Sequence, residues 1–308
     1  MRSHVSAAHD EEPGGQEGGL TADPVGSLLA VLDLNSSART TEDIFTGPSQ
    51  PMPHGRVYGG QVLAQSIVAA ARTLSADRVV HSMHGYFLRP GDAAAGITFA
   101  VDRIHDGRSF ATRRTQAFQE GVPIFSMIAS FQDEGPGLEH QTPMPGGIPD
   151  PEELDDLVGR EGALHPMTLR LFTESAIEVR HIDPPIYARV DGEHAPRQAV
   201  WMRVRGRLPD DPAVHRAALA YMSDMTIQET VLRAHGVPWS TRGLKVASLD
   251  HGMWWHRFGR VDEWVLYVQE SPNARGGRGL ARGSIYARDG ALLATVAQEI
   301  MVRVPEDR

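Results

Sequence analysis

The sequence predicts an α+β protein built as two tandem halves, each an antiparallel sheet wrapped around a helix. Three observations carry that expectation. A helix-sized segment followed by four strand-sized runs occurs twice. The two sets lie roughly 170 residues apart, a period too long for a solenoid and suited to a duplicated domain. Between them the composition breaks, with Pro and Gly clustered among acidic residues.

Residues 1–25 are rich in Gly, Glu, Asp and Ala and carry almost no large apolar side chains, so they cannot offset their own ordering entropy. They are expected to be a disordered tail. In the first half, 26–132, a helical segment at 59–74 precedes a strand at 79–88. A meander follows at 96–104, 109–118 and 122–132, with turns at His105-Asp106-Gly107-Arg108 and Glu120-Gly121. Residues 133–165 read as a linker. The second half, 166–308, repeats the order: a helix at 213–234, a strand at 245–255, then strands at 263–271, 279–287 and 291–304. Asp289-Gly290 joins the last two and is a strong hairpin signal. A helix followed by a meander that wraps it is the layout of a hotdog half.

With 308 residues, 41% of them hydrophobic, the chain can bury a sizeable core. No run of about 18 apolar residues is present to span a bilayer, and the N-terminus has no signal-peptide core, so no membrane association and a cytoplasmic site are expected. The C-terminal Pro305-Glu306-Asp307-Arg308 agrees, lacking a peroxisomal tripeptide. The absence of cysteine removes disulfides, thiolate metal sites and cysteine nucleophiles. A net charge of −9 with no basic block advertises no nucleic-acid surface. All basic residues but Lys245 are arginine, so a phosphate-bearing ligand would be met by guanidinium forks, backbone N–H groups or helix N-termini.

Three polar residues stand where the pattern asks for apolar ones or for the edge of an apolar face. On the helix 213–234, Val214, Ala218, Tyr221, Met225 and Leu232 form a stripe, with Asp224 at its edge. A half-buried carboxylate there would have its pKa raised toward the range of a general base, although a solvent-facing flank fits the spacing equally well. On the last strand Leu292, Ala294, Val296, Ile300 and Val302 share a face with Gln298, which needs polar partners or a bulge to tie down. A regular strand 246–256 puts Ser248, Asp250, Gly252, Trp254 and His256 on one face, from which Ser248 could bond a carboxylate. His251 and His256 read as packed or surface residues. No histidine pair has metal-ligand spacing, so neither a metal nor another cofactor is expected. No G-x-S-x-G elbow exists, and the other glycine clusters do not sit between strand and helix as phosphate loops do. Tyr58-Gly59-Gly60-Gln61 does open a helix, where free N–H groups can stabilise an oxyanion.

The chain resembles the acyl-CoA thioesterase II family over nearly its whole length after the tail. The residues that carry the resemblance are VYGGQVLAQ (57–65), VHSMHGYFLRPGD (80–92), DGRSFATRR (106–114), PIFSMIASFQ (123–132), AYMSDM (220–225), ASLDHGMWWHR (247–257), EWVLY (263–267) and TVAQE (295–299). It implies a double hotdog fold, hydrolysis of acyl-CoA to fatty acid and CoA, a dimer or tetramer, and an Asp-Ser/Thr-Gln site that falls on Asp224, Ser248 and Gln298. Some members carry threonine at Ser248; serine keeps the hydroxyl and loses the methyl that fixes its rotamer. The first half has no acid at the helix position matching Asp224, so one active site per chain is expected.

The expected mechanism is attack by a water that Asp224, Ser248 and Gln298 orient, with N–H groups near Gly59 and Gly60 facing the oxyanion. Arg89, Arg113, Arg114, Arg257 and Arg282 are candidates for the CoA phosphates. Two alternatives differ in class. A non-catalytic acyl-CoA binding protein would bind ligand without releasing thiol. A hotdog enoyl-CoA hydratase would need an Asp and a His together, and the adjacent Asp250 and His251 point to opposite faces of a strand.

Overall fold

The computed structural model describes residues 23–35, 43–75, 77–156 and 172–305. Most of the predicted tail, residues 157–165 of the predicted linker and the last three residues lie outside the described residues. Helix α1 (Pro24–Leu32) starts where the tail was expected to end; Asp23 caps it, accepting from the Gly26 N–H at 2.9 Å, with proline at the first position. Then follow β1 (Asp43–Gly47), α2 (Gly59–Ala71), β2 (Arg78–Phe87), β3 (Ile97–Asp106), β4 (Phe110–Gln119) and β5 (Val122–Asp133). The β4–β5 turn places Glu120 and Gly121 at φ 48° and 76°, the left-handed pair that a two-residue hairpin requires. The second set is β6 (Ile177–His181), β7 (Arg197–Val204), α3 (Pro212–Ser223), α4 (Glu229–Ala234), β8 (Lys245–Ser248), β9 (Asp250–Trp255), β10 (Val265–Arg275), β11 (Arg278–Ala287) and β12 (Leu292–Arg303).

The strands form one sheet in the order β1-β3-β4-β5-β2-β9-β12-β11-β10-β7-β6, with β8 also on β12. Its two sides mirror each other about the antiparallel pair β2·β9, which runs from Ser82 opposite Trp254 to Tyr86 opposite Asp250. Helix α2 lies over β2–β5, α4 over β7, β10 and β11, and α2 packs against α3. One apolar core therefore runs through both sets, from Leu28 and Leu63 to Ile285 and Ile300.

Strands β1, β6 and β7 were not anticipated. β7 explains why: Val200, Met202 and Val204 enter the main core, while Ala199 and Trp201 belong to a second apolar cluster. A strand buried on both faces shows no polar alternation. The second cluster is closed by Met144, Ile148 and Leu154 from the Pro-rich segment after β5, so this stretch packs as a strap rather than hanging free. Polar ties hold it: Trp201 Nε1 donates to Pro149 O at 3.0 Å and Arg288 pairs with Glu152 at 2.8 Å.

The contact of α2 with α3 depends on two glycines. A Cβ on Gly60 would stand 2.3 Å from the backbone oxygen of Tyr221, and one on Gly59 would stand 2.6 Å from Asp224 Oδ2. Helix propensity alone would favour alanine at such a position by about 1 kcal/mol. Here Gly60→Ala should instead destabilise by about 2 kcal/mol or more, because the clash is with backbone. Urea denaturation decides between the two signs, and a stabilised variant would mean the helices do not approach this closely.

Candidate active site

The predicted single helix 213–234 is two helices, and the break creates the site. Asp211 caps α3 and Pro212 fills its first turn. It ends without glycine or proline because its last carbonyls are taken from outside. Tyr58 Oη donates to Tyr221 O at 2.8 Å and Tyr267 Oη to Ser223 O at 3.0 Å. The Met225 N–H turns back to Met222 O at 3.1 Å instead of continuing the α-helical ladder. Asp224 therefore occupies the C-cap and is 4% exposed, more deeply buried than the half-buried flank expected.

A second irregularity brings Ser248 to it. β8 pairs with β12 at Ser248 opposite Ile300, whereas β9 pairs at Gly252 opposite Ala297. One more residue is thus spent on β8–β9 than on β12, which is a β-bulge at Leu249–Asp250. The bulge corrects the expectation that Ser248 shares a face with Asp250: past it the alternation flips, and Ser248 and His251 both turn toward Gln298. Asp250 turns away and accepts the Glu299 N–H at 2.7 Å. Asp250 and His251 consequently do not converge on one substrate, as a hydratase would need.

The three residues picked from the sequence meet. Gln298, fully buried, donates through Nε2 to Asp224 Oδ1 at 2.9 Å and to Ser248 Oγ at 2.8 Å. Ser248 Oγ donates to Asp224 Oδ1 at 3.2 Å. Gln228, which the sequence reading missed, donates to Ser248 Oγ at 2.9 Å. Its place four residues beyond Asp224 was the available signal, but in a polar stretch that spacing is common. Burial raises the Asp224 pKa to about 6, with Gln298, Ser248, the Gly60 backbone N–H and Gln228 offsetting part of the rise. His251, 1% exposed, completes the cluster: its Nδ1 meets Gln298 Oε1 and its Nε2 lies 3.0 Å from Ser223 Oγ.

Asp224, Ser248, Gln228 and Gly59 open onto a cavity of about 750 Å³ between the two sets of elements. Its walls are largely apolar, among them Val57, Val62, Phe87, Phe125, Phe172, Tyr187 and Trp239. The exposed side chains of Arg56, His54 and Arg89 line it where it meets solvent. Arg113 is elsewhere, 1% exposed and bonded to Thr73 Oγ1 and Asp106 at 2.6 Å each, fastening the end of α2 to β4. Arg257 does not line the cavity, and Arg114 and Arg282 are paired on the sheet with Asp102 and Glu270. Gly60 lies behind Gly59, its N–H on the Asp224 carboxylate. Among the described residues no group of His, Asp or Glu is arranged to hold a metal ion.

Two family models cover this architecture: one described as acyl-CoA thioesterase matches residues 172–301, and one described as acyl-CoA thioesterase N-terminal domain matches 48–132. Human acyl-coenzyme A thioesterase 8 is 38% identical over 305 residues, 94% of either chain. The Haemophilus influenzae acyl-CoA thioesterase 2 is 35% identical, covering 92% of this chain and 100% of its own. The crystal structure of acyl-CoA thioesterase II TesB2 from Mycobacterium marinum superposes with a TM-score of 0.75 at 42% identity, over 91% of this chain and 99% of that one. The chain belongs to the acyl-CoA thioesterase II family. It is a thioester hydrolase with the double hotdog fold, and a hotdog protein from Alicyclobacillus acidocaldarius supports the fold alone, with a TM-score of 0.73 at 18% identity. No described helix of this thioesterase is long and apolar enough to cross a membrane.

The buried carboxylate has a stability signature. Its folded pKa of about 6 lies above the ordinary 3.8, so ionisation opposes folding. That cost is absent below the ordinary value, grows as pH rises toward 6 and is fully present above it. Asp224→Asn should therefore be more stable than the unmodified protein by on the order of 1–3 kcal/mol at pH 7.5, the gain shrinking toward pH 4. Paired urea titrations at the two pH values test this; a gain that does not shrink on acidification would show that the carboxylate is not strained by burial.

Proposed function

We propose that Asp224 is the general base of the thioesterase, deprotonating a water that Ser248 and Gln298 help to hold and that attacks the thioester carbonyl. The observation that carries this reading is a buried carboxylate with its pKa raised to about 6, facing an apolar cavity. Asp224 Oδ1 accepts from both Ser248 and Gln298, and Oδ2, which lies beside Gly59, is the oxygen that takes the proton. Ser248 is a poor nucleophile here. Its hydroxyl donates to Asp224 Oδ1, and its two lone pairs are both taken up in accepting from Gln228 and Gln298. In the first turn of α2 the Gln61 N–H bonds Tyr58 O and the Gly60 N–H bonds Asp224, so the Gly59 N–H is the donor left for the oxyanion.

The acyl chain then lies along Val57, Val62 and Phe125, and the CoA phosphates meet Arg56 and Arg89 at the open side. Sequence inspection named Arg89 and passed over Arg56, which no apolar pattern distinguishes from a solvated charge.

Thiol release from a panel of acyl-CoAs tests the base. Asp224→Asn should lower kcat by about two orders of magnitude or more, and kcat/KM of the unmodified enzyme should fall on acidification through about pH 6. Turnover by Asp224→Asn at the unmodified rate, or an acylated peptide trapped by quenching, would sink the water mechanism. For the phosphates, Arg56→Ala and Arg89→Ala should each raise KM by roughly three- to tenfold with kcat little changed, an effect that shrinks in high salt. Unchanged KM in both would place the CoA elsewhere.

A further inference from the structure

A glutamine amide is nearly symmetric in shape, and only its neighbours decide which end is oxygen. One end of the Gln298 amide faces two acceptors, Asp224 Oδ1 at 2.9 Å and Ser248 Oγ at 2.8 Å. The other faces His251 Nδ1. We propose that His251, backed by Ser223, is the positioning residue that keeps the Gln298 NH₂ group turned toward Asp224 and Ser248. The inference rests on reading those three residues as the hydrolytic site.

Burial holds the His251 pKa down to about 4, so at neutral pH the ring carries one N–H. With that proton on Nδ1, it donates to Gln298 Oε1, and the Ser223 hydroxyl turns from Ala220 O, 2.8 Å away, to donate to Nε2 at 3.0 Å. With the proton on Nε2 every polarity reverses. Nε2–H then donates to Ser223 Oγ, and the Ser223 hydroxyl turns to Ala220 O at 2.8 Å. His251 Nδ1 now calls for the amide NH₂, and Gln298 presents its oxygen to Asp224. That contact is repulsive unless Asp224 is protonated. An ionised Asp224 and the Nδ1–H form of His251 are therefore two ends of one arrangement, linked through Gln298. Ser223 and Gln298 are 0% exposed and His251 is 1% exposed, so solvent does not compete for any of these bonds. The β-bulge at Leu249–Asp250 is what delivers His251 to this side, three residues after Ser248.

Among the described residues, the phenols of Tyr58, ahead of α2, and Tyr267 on β10 also feel the Asp224 charge. Burial and that charge push both well above their usual range, so neither titrates on the acid limb of activity.

The test compares His251→Phe, His251→Asn, Ser223→Ala and Asp224→Asn by kcat, KM and the pH profile of kcat/KM, with ¹⁵N NMR of the histidine ring in the unmodified protein. His251→Phe fills the volume without a donor; kcat should fall by about 10- to 100-fold with KM within about twofold. Its acid limb should move to higher pH, because Asp224 loses a donor that stabilises its ionised form. Asn, whose NH₂ reaches near the place of Nδ1, should restore most of kcat and the limb. The unmodified ring should be in the Nδ1–H form at pH 7.5. A folded His251→Phe with kcat within twofold and an unmoved limb, or an Nε2–H ring at pH 7.5, would overturn the proposal. Should His251→Phe fail to fold, the ring tautomer and a reduced kcat in Ser223→Ala carry the decision. If Asp224→Asn turns over normally, the reading of the whole site falls and this inference with it. If Asp224→Asn is inactive while His251→Phe is unimpaired, only the positioning role is lost.

Discussion

The burial of one carboxylate at a helix end is the constraint on which this molecule is arranged. A helix C-terminus is the negative end of its dipole, and Asp224 adds a charge there in a site 4% exposed. Such a group persists only where donors surround it. Four elements supply them: Gln298 from β12, Ser248 from β8, Gln228 from the turn after α3, and the Gly60 N–H from the opposing positive end of α2. The last contact needs α2 to come within touching distance of α3, which is why residues 59 and 60 carry no side chain. Even so, the donors do not cancel the desolvation, and the carboxyl stays raised to about 6, the range that the proposed role of general base asks for near neutrality.

A symmetric framework holds an asymmetric site. The sheet reads the same outward from β2 and from β9 apart from β6 and β8 on the second side, yet α2 runs unbroken while its partner is split into α3 and α4. Two tyrosine hydroxyls from different elements impose the split by occupying the carbonyls of Tyr221 and Ser223. Tyr58 belongs to the first set of elements and Tyr267 to the second, so the break forms only when both have packed. The polar cluster proposed as the active site is thus a property of the assembled pair and not of either set alone.

That dependence sets the limit of what the sequence discloses. The meander strands, the three turns and α2 follow from local patterns of alternation and turn residues, which tertiary packing reinforces. Gln298 was legible because a lone amide on a clean apolar face has few explanations, and the structure puts it at the centre of the polar cluster. Asp224 and Ser248 were legible only as polar residues at the edge of an apolar stripe and on a strand face, and the family motifs YMSDM and ASLDH singled them out. The helix break left no trace, because the groups that cause it lie 163 residues before and 44 residues after the carbonyls they bind. The bulge at Leu249–Asp250 was equally hidden. A period-2 reading assumes an uninterrupted ladder, and one extra residue moves His251 from the far face to the near one. β7 escaped for the opposite reason, since the strap from 134–156 buries its outer face and erases the alternation.

The two displaced acidities in the cluster work in one direction. Burial raises the carboxyl of Asp224 to about 6 and lowers the imidazole of His251 to about 4, in each case against the charged form. Above pH 6 the carboxylate is ionised and the ring neutral, so a single negative charge sits at the end of a chain of donors running from Ser223 through His251 and Gln298. A charged imidazole in place of the neutral one would pair with Asp224 electrostatically, pull its pKa down and weaken it as a base. Keeping His251 neutral lets the chain fix orientation without neutralising the charge it serves. The same dry surroundings that lower one pKa raise the other, so a single physical cause, the exclusion of water by α2, α3 and the sheet, sets both.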